Sequence, residues 1–519
     1  MRPPPRPAPL RCRHLAVALA AALASGAAAG ASAQSAWQRL RTEPGWPLFG
    51  ELAGAAHHRA APDTPGAARR VANCDDDGPG SLRATIADAA DGDTIDLTQL
   101  GCSRITLETG AIAIRTDNLT VAGKGAGRSI VDGGDRNRVF IHYGFGTLTL
   151  QDLTVSGGYV RASGNRVAFG GCIAARSYIS LDRAIVRDCR AIGVGSYGGG
   201  TFSYGLLMQD STITGNLASG QLDDATTAAF GGGAYAYSVQ IVDSTVTGNR
   251  AIYQADPRFS SYGIGGGVMA ILGGSISRST IDSNVSQGRG GGIAAFSALT
   301  VSNSTISGNL AQKEIGGGLF VRWPASLQLD NSTVALNRAG ADGGGIWLNA
   351  TGSSFRSSIV HGNVVAGNVG NDTGHDIGNR LNPYSPGAAQ TIQGDHNLIG
   401  TGGTLIALPP DTLHVDPMLD SLASNGGPTH THALRSGSPA IDAGDNPDGL
   451  ATDQRGKIRR YGTAVDIGAY EDQPAAPAAP PQPVPGLSTW AALLLAAAIG
   501  GAATTGASRR ILRHRPPRR

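Results

Sequence analysis

The chain has 519 residues, only 16% of them charged and 76 of them glycine, with a formal charge of +3. That sign comes from the ends. Four arginines (Arg2, Arg6, Arg11, Arg13) precede residue 34 and six (Arg509, Arg510, Arg513, Arg515, Arg518, Arg519) close the chain, so the body between carries 32 bases against 39 acids, a net of −7. Such a body argues against nucleic acid as a partner, and glycines that recur at a period argue against low-complexity chain.

Behind the first arginines an apolar run from Leu15 to Ala29 ends in Ala31-Ser-Ala33. This is the pattern of a secretory signal peptide over residues 1–33, too short and too rich in alanine for a membrane anchor. Residues 34–70 read as a polar lead-in with little expected order. Of the five cysteines, Cys12 leaves with the signal. Cys74, Cys102, Cys172 and Cys189 remain for an oxidising compartment; pairing in that order is one of the three connectivities four cysteines allow. Structure is expected from Val71. Asp75-Asp-Asp-Gly-Pro-Gly80 reads as a solvated turn rather than a calcium loop, and Ser81 as the N-cap of a short helix with Leu82, Ile86 and Ala89 on one face, ended by Gly92. Residues 71–100 would then cap the open end of a stacked body.

The middle of the chain is a repeat. Ser211-Thr-Ile-Thr-Gly-Asn216 recurs from Ser244, Ser279, Ser304 and Ser332, and in altered form from Ser358, with serines 33, 35, 25, 28 and 26 residues apart. Glycine triplets at Gly198, Gly231, Gly265, Gly290, Gly316 and Gly343 stand between these phrases. A period in this range, carried by two β-type phrases without helical periodicity, predicts a solenoid of stacked strands, a parallel β-helix. Stacking would bring Asn216, Asn249, Asn284, Asn309, Asn337 and Asn363 into a hydrogen-bonded structural ladder and the intervening Ile and Val into an apolar column. Tyr197, Tyr204, Tyr235 and Tyr237 fall at similar coil positions and read either as a stacking stripe or as corner packing.

Asp77-Gly-Pro-Gly-Ser-Leu-Arg83, Gly92-Asp-Thr-Ile95 and Leu119-Thr-Val-Ala-Gly123 resemble the opening of bacterial pectin-lyase-like surface proteins of the choice-of-anchor family. The triplet and Ser-Thr-Ile phrases are similar to polymorphic outer-membrane-protein repeats. Asn425-Gly-Gly-Pro-Thr429, Gly437-Ser-Pro-Ala-Ile-Asp-Ala-Gly444, Thr452-Asp-Gln-Arg-Gly456 and Val465-Asp-Ile-Gly-Ala-Tyr-Glu471 resemble that family's terminal region, read as residues 376–473. The resemblance implies an all-β, right-handed parallel β-helix over residues 71–473. It implies export to the surface or exterior of a Gram-negative bacterium.

A Pro/Ala linker (474–485) leads to a short motif of Val484, Pro485, Gly486, Leu487, Ser488 and Trp490. The motif opens an apolar stretch (486–508) that is long enough, counted from Leu487 to Ala507, to span a bilayer as a helix, and a basic tail (509–519) closes the chain. This ending resembles an IPTL-type sorting signal, which implies transient anchoring in the inner membrane and an exosortase-like enzyme as partner. Val484 and Gly486 depart from the usual Ile and Thr.

For catalysis the sequence offers Asp372, His375 and Asp376 as its densest ionisable cluster. β-helix hydrolases and lyases need paired carboxylates, or carboxylates holding a cation beside a base, and no such signature stands here. Asp395, His396, His430 and His432 read as structural. The expectation is a non-enzymatic adhesin or matrix component, without cofactor or metal, whose partner is a polysaccharide or cell-surface glycan. A lyase or hydrolase, or a glycan binder that does not cleave, are the alternatives.

Overall fold

The computed structural model describes residues 60, 66–162, 166–221, 227–253, 262–322, 325–349, 352–365, 376–379, 390–446 and 448–473. The signal peptide, most of the lead-in, the linker and the basic tail lie outside them. So does the sorting segment, with Val484, Pro485, Gly486, Leu487, Ser488 and Trp490, and the spanning helix expected there is therefore not among the elements below. Among the described residues no helix is long and apolar enough to cross a membrane.

The described body is a parallel β-helix. In one coil a flank strand (Leu299–Ser302) leads into a ladder strand (Thr305–Ser307), a short return strand (Leu310–Ala311) and a triplet strand (Leu319–Val321). The next coil repeats them at Leu327–Asp330, Thr333–Ala335, Arg338–Ala339 and Ile346–Leu348, each parallel to its counterpart. The ladder strands form an 11-stranded sheet and the return strands an 8-stranded one, while flank and triplet strands join in a 20-stranded sheet.

Alternation decides which side chains go inside. In each ladder strand the middle residue, such as Ile213, Val246, Ile281, Ile306 and Val334, is fully buried in one continuous core. At roughly 1.5–3 kcal/mol for each fully buried aliphatic side chain, this column is the main source of cohesion between coils. Corners need left-handed backbone. The first glycine of every triplet has positive φ, and so does the residue before each ladder serine, for example Asp210, Asp243, Arg278 and Asn303. The second triplet glycine is fixed by close approach, since a Cβ on Gly266 would meet the Gly291 carbonyl oxygen at 2.2 Å.

The open N-terminal end carries the helix α1, Leu82–Ala87, with the Ser81 side chain accepting from the Ala84 amide and Leu82 and Ile86 buried. The helix stops at Asp88 rather than at Gly92, because Asp88 already satisfies the terminal carbonyls. Strand Ala68–Arg70 lies inside the stretch read as lead-in; it pairs with Thr94–Asp96 although its sequence carries no β-branched residue. Both disulfides form in chain order, Cys74–Cys102 and Cys172–Cys189.

The other end differs from the expectation of coils through residue 473. The last ladder strand is Leu398–Ile399. Beyond Asp416 the backbone makes isolated antiparallel bridges, Leu419–Leu434, Ala423–Thr431, Gly444–Val465 and Thr452–Ile458. This terminal strap lies back across the outer side of the ladder strands. The threonines that point away from the core receive it: Thr280 donates to the His430 carbonyl (2.6 Å), Thr305 to Gln454 Oε1 (2.6 Å), and Thr333 accepts from the Ala469 amide (3.1 Å). The family-like phrases are the knots of the strap. Asp453 pairs with Arg455 in full burial, and the Arg455 guanidinium stacks 3.6 Å from the Tyr470 ring centroid.

Candidate functional site

Of the three catalytic candidates, Asp372 and His375 lie outside the described residues. Asp376 is described, and its carboxylate is already engaged. Oδ1 accepts from the Asn363 amide (3.0 Å) and Nδ2 (2.9 Å), while Oδ2 accepts from the Thr401 amide (2.8 Å) and hydroxyl (3.3 Å). It is a rung of the ladder rather than a reacting group.

The ladder itself runs through all six asparagines. Each side-chain oxygen receives both the backbone amide and the Nδ2 of the preceding coil's asparagine, as Asn284 Oδ1 does from Asn249 at 3.0 and 2.9 Å. The second Nδ2 hydrogen goes to a carbonyl of the neighbouring coil, Val246 for Asn284 (2.9 Å). Asn216 Oδ1 closes the start by accepting from the Cys189 amide (3.0 Å), so the column begins at a disulfide and ends at Asp376. The serines that mark the period in the sequence form a second ladder: the Ser211 amide donates to Ser244 Oγ (3.0 Å), and so on through Ser279, Ser304, Ser332 and Ser358 to Asn397.

Outside the ladders, surface charge is organised as pairs across coils. Arg183 holds Asp152 and Arg278 holds Asp243, each with two hydrogen bonds. Burial pushes the Asp243 carboxyl up, but its bonds to Arg278 and Gln209 outweigh that and leave it below the usual range. Asp395, His396 and Asp445 form an exposed group of three with potential ligand atoms within 4.8 Å of one another. It sits where strap meets last coil, and His396 Nδ1 faces Asp395 Oδ1 at 3.2 Å. Exposed groups of this kind are common without an ion, and nothing else at this one points to a metal.

The four tyrosines separate. Tyr197 and Tyr235 are buried in a second apolar cluster with Phe169, Phe202, Phe230, Phe320 and Trp347. That cluster forms because outer strands such as Gly195–Tyr197 and Ala228–Phe230 cover the outward face of the triplet strands. Burial accordingly pushes the Tyr197 hydroxyl up to about 12. Tyr204 and Tyr237 lie in the middle of the long strands Thr201–Gln209 and Ala234–Val242, half-buried, with rings stacked at 5.3 Å and 15°.

They belong to a column that no repeated phrase announces in the sequence. Where triplet strand gives way to flank strand, Arg115, Tyr143, Arg176, Tyr204, Tyr237, Ile271, Phe296 and Arg322 follow one another coil by coil, with the Tyr204 amide donating to the Ser177 carbonyl. Tyr178 lies 6.0 Å from Tyr204. Three of its guanidiniums rest on rings: Arg322 over Phe296 (5.2 Å) and Arg115 over Tyr143 (5.7 Å) within the column, and Arg176 over Phe145 (4.0 Å) beside it. Beside it lies the outward column of the flank strands, Thr149, Ser180, Leu207, Gln240, Ser275, Thr300 and Gln328, which holds no carboxylate. Chemically this is a wall of rings and guanidiniums interrupted by Ile271, along a row of hydroxyls and amides interrupted by Leu207.

No family model matches the sequence, and no curated protein matches it. Among solved structures the chain is similar to pectate lyase Pel9A. The likeness is 14% identity with a TM-score of 0.43, over 79% of this chain and 97% of that one. It is a likeness of fold, and says nothing of chemistry.

Proposed function

We propose that this chain is an exported, surface-sorted β-helix protein that acts by presentation and binding, as an adhesin or extracellular matrix component, and not by cleavage. The observation that carries this reading is the fate of Asp376: the described carboxylate of the densest ionisable cluster is spent as the last rung of a structural ladder. Two disulfides fit an oxidising exterior. The leader, the bilayer-length segment that begins at Leu487 and the basic tail support export followed by transient anchoring and sorting by an exosortase-like enzyme.

The test has two arms. Purified protein incubated with acidic and neutral polysaccharides is expected to release neither new reducing ends nor unsaturated sugars. Labelling of intact producing cells, with mass spectrometry of the mature C-terminus, is expected to find the body at the surface and cut near Val484–Trp490. Cleavage products that grow with protein concentration would overturn the reading in favour of a lyase or hydrolase.

A further inference from the structure

The 8-stranded return sheet turns one row of side chains to solvent. Arg190, Leu217, Arg250, Val285, Leu310 and Arg338 stand directly opposite one another, strand to strand. The residue that follows each is buried, so alternation turns this row outward. At a strand spacing of about 4.8 Å, the sheet extends about 34 Å along the axis. Its strands hold four arginines, the fourth being Arg161, and no carboxylate, in a body whose net charge is −7 between leader and tail. On other faces arginines are held by carboxylates, as Arg183 is by Asp152 and Arg278 by Asp243. Here Arg190 reaches Asp135 only at 4.0 Å. Among the described residues the guanidiniums of Arg161, Arg250 and Arg338 have no hydrogen-bond or ion-pair partner. Between the cations lie Leu217, Val285 and Leu310, each partly exposed, and Leu336 stands 56% exposed at the corner before Arg338.

Unpaired cations alternating with aliphatic side chains fit the boundary layer of a lipid bilayer. Guanidiniums on flexible stems meet headgroup phosphates, while the aliphatic side chains enter the apolar layer beneath. A soluble polyanion would satisfy the charges and leave Leu217, Val285 and Leu310 in water, and a glycan would find no hydroxyl in the row. We infer that the face carrying Arg190, Arg250 and Arg338 with Leu217, Val285 and Leu310 docks on the surface of a bilayer containing anionic phospholipid. This goes beyond the presentation reading above and rests on its anchoring only for bringing a bilayer within reach. Each arginine near an anionic surface strengthens the attraction about fivefold, and salt weakens it. The negative charge of the rest of the body confines docking to this face.

The experiment adds the purified full chain to vesicles of phosphatidylcholine, alone or mixed with phosphatidylglycerol, and floats them. Arginines are then labelled with phenylglyoxal and read by mass spectrometry. Arg250 and Arg338 are expected to label about fivefold more slowly on the mixed vesicles than on phosphatidylcholine, and high salt to remove the difference. Arg183, held by Asp152 on another face, is expected to label alike on both. In Arg250→Glu with Arg338→Glu, Arg161 and Arg190 are expected to lose their protection on mixed vesicles at an unchanged thermal midpoint. Arg250→Gln with Arg338→Gln, which removes charge without reversing it, is expected to give intermediate protection. Equal labelling of Arg250 and Arg338 on the two kinds of vesicle would overturn the inference. So would protection that persists in the glutamate variant, or equal protection by soluble polyphosphate beside phosphatidylcholine vesicles. Flotation reads the anchor separately. A chain that floats with phosphatidylcholine but gains no protection on mixed vesicles keeps the anchor and loses the docking face. A chain that floats only with mixed vesicles, and is protected there, keeps the docking face and loses the anchor.

Discussion

At the scale of single residues, the ladder asparagines show why so polar a side chain recurs in a core. Asn284 donates to Asn309 Oδ1 and the Val246 carbonyl and accepts twice from Asn249, so all its capacity is used at zero exposure. Asn284→Ala would remove these bonds and leave the Asn249 backbone amide buried without its acceptor, while Asn249 Nδ2 keeps the Ile213 and Thr247 carbonyls. The expected cost is about 3 kcal/mol or more, read from denaturant unfolding. Asp376→Asn keeps the oxygen facing Asn363 and disturbs only the Thr401 side, so its cost is expected near 1 kcal/mol. Leu336 makes the opposite case. It has φ +58 and is 56% exposed at the corner where other coils place Gly215, Gly248, Gly308 and Gly362. Leu336→Gly is expected to stabilise by up to about 1 kcal/mol, as relief of left-handed strain outweighs the added freedom of the unfolded chain. The ladder was legible in the sequence because its residues repeat in one phrase. Asp376 was not, since it follows Asn363 by 13 residues where the other rungs are 25 to 35 apart.

At the scale of elements, the strap is the part the sequence concealed. Its contacts reach back 150 residues, from His430 to Thr280, and its isolated bridges have no period to read. The tyrosines were ambiguous for a related reason: outer strands turn one face of the triplet strands into a second core, and only their position decides that Tyr235 is inside and Tyr237 at the rim. Gln454 holds the strap down, fully buried, donating to Thr280 Oγ1 and Thr429 Oγ1 and accepting from Thr305. Gln454→Ala is expected to let proteases cut between the last coil and Asp416, releasing strap fragments before the coils are attacked. The strap also titrates. Burial pushes the Glu471 carboxyl up to about 7 from an ordinary 4.5, despite bonds from the Asp466 and Tyr461 amides. The folded strap therefore binds a proton that the unfolded chain has lost. The stability this contributes is fully present below pH 4.5 and is lost as pH rises through about 7. Hydrogen exchange in residues 461–471 at pH 5.5 and 8, corrected for intrinsic rates, should reveal easier opening at the higher value, and Glu471→Gln should flatten the difference. Burial lowers the His432 pKa, which acts in the opposite direction below its ordinary 6.5.

At the scale of the molecule, each coil touches chiefly its neighbours, so stability is nearly a sum of coil and interface contributions. Period, strand type and covalent closure were legible because each is local or repeated. The disulfide closing the 17-residue span Cys172–Cys189 staples the coils at the ladder's beginning. Its loss, by Cys172→Ser with Cys189→Ser, is expected to cost about 3 kcal/mol. Exchange should then accelerate in residues 140–220 well before it does in residues 290–360.

The strap has a mechanical consequence. Tension entering the chain after Asp472 first meets the knot of Glu471, Arg455 and Asp453, and then the grips on Thr333 and Thr305 one after another. Load applied from the C-terminal side would be absorbed by peeling this fastening, while the stacked body beneath keeps its register.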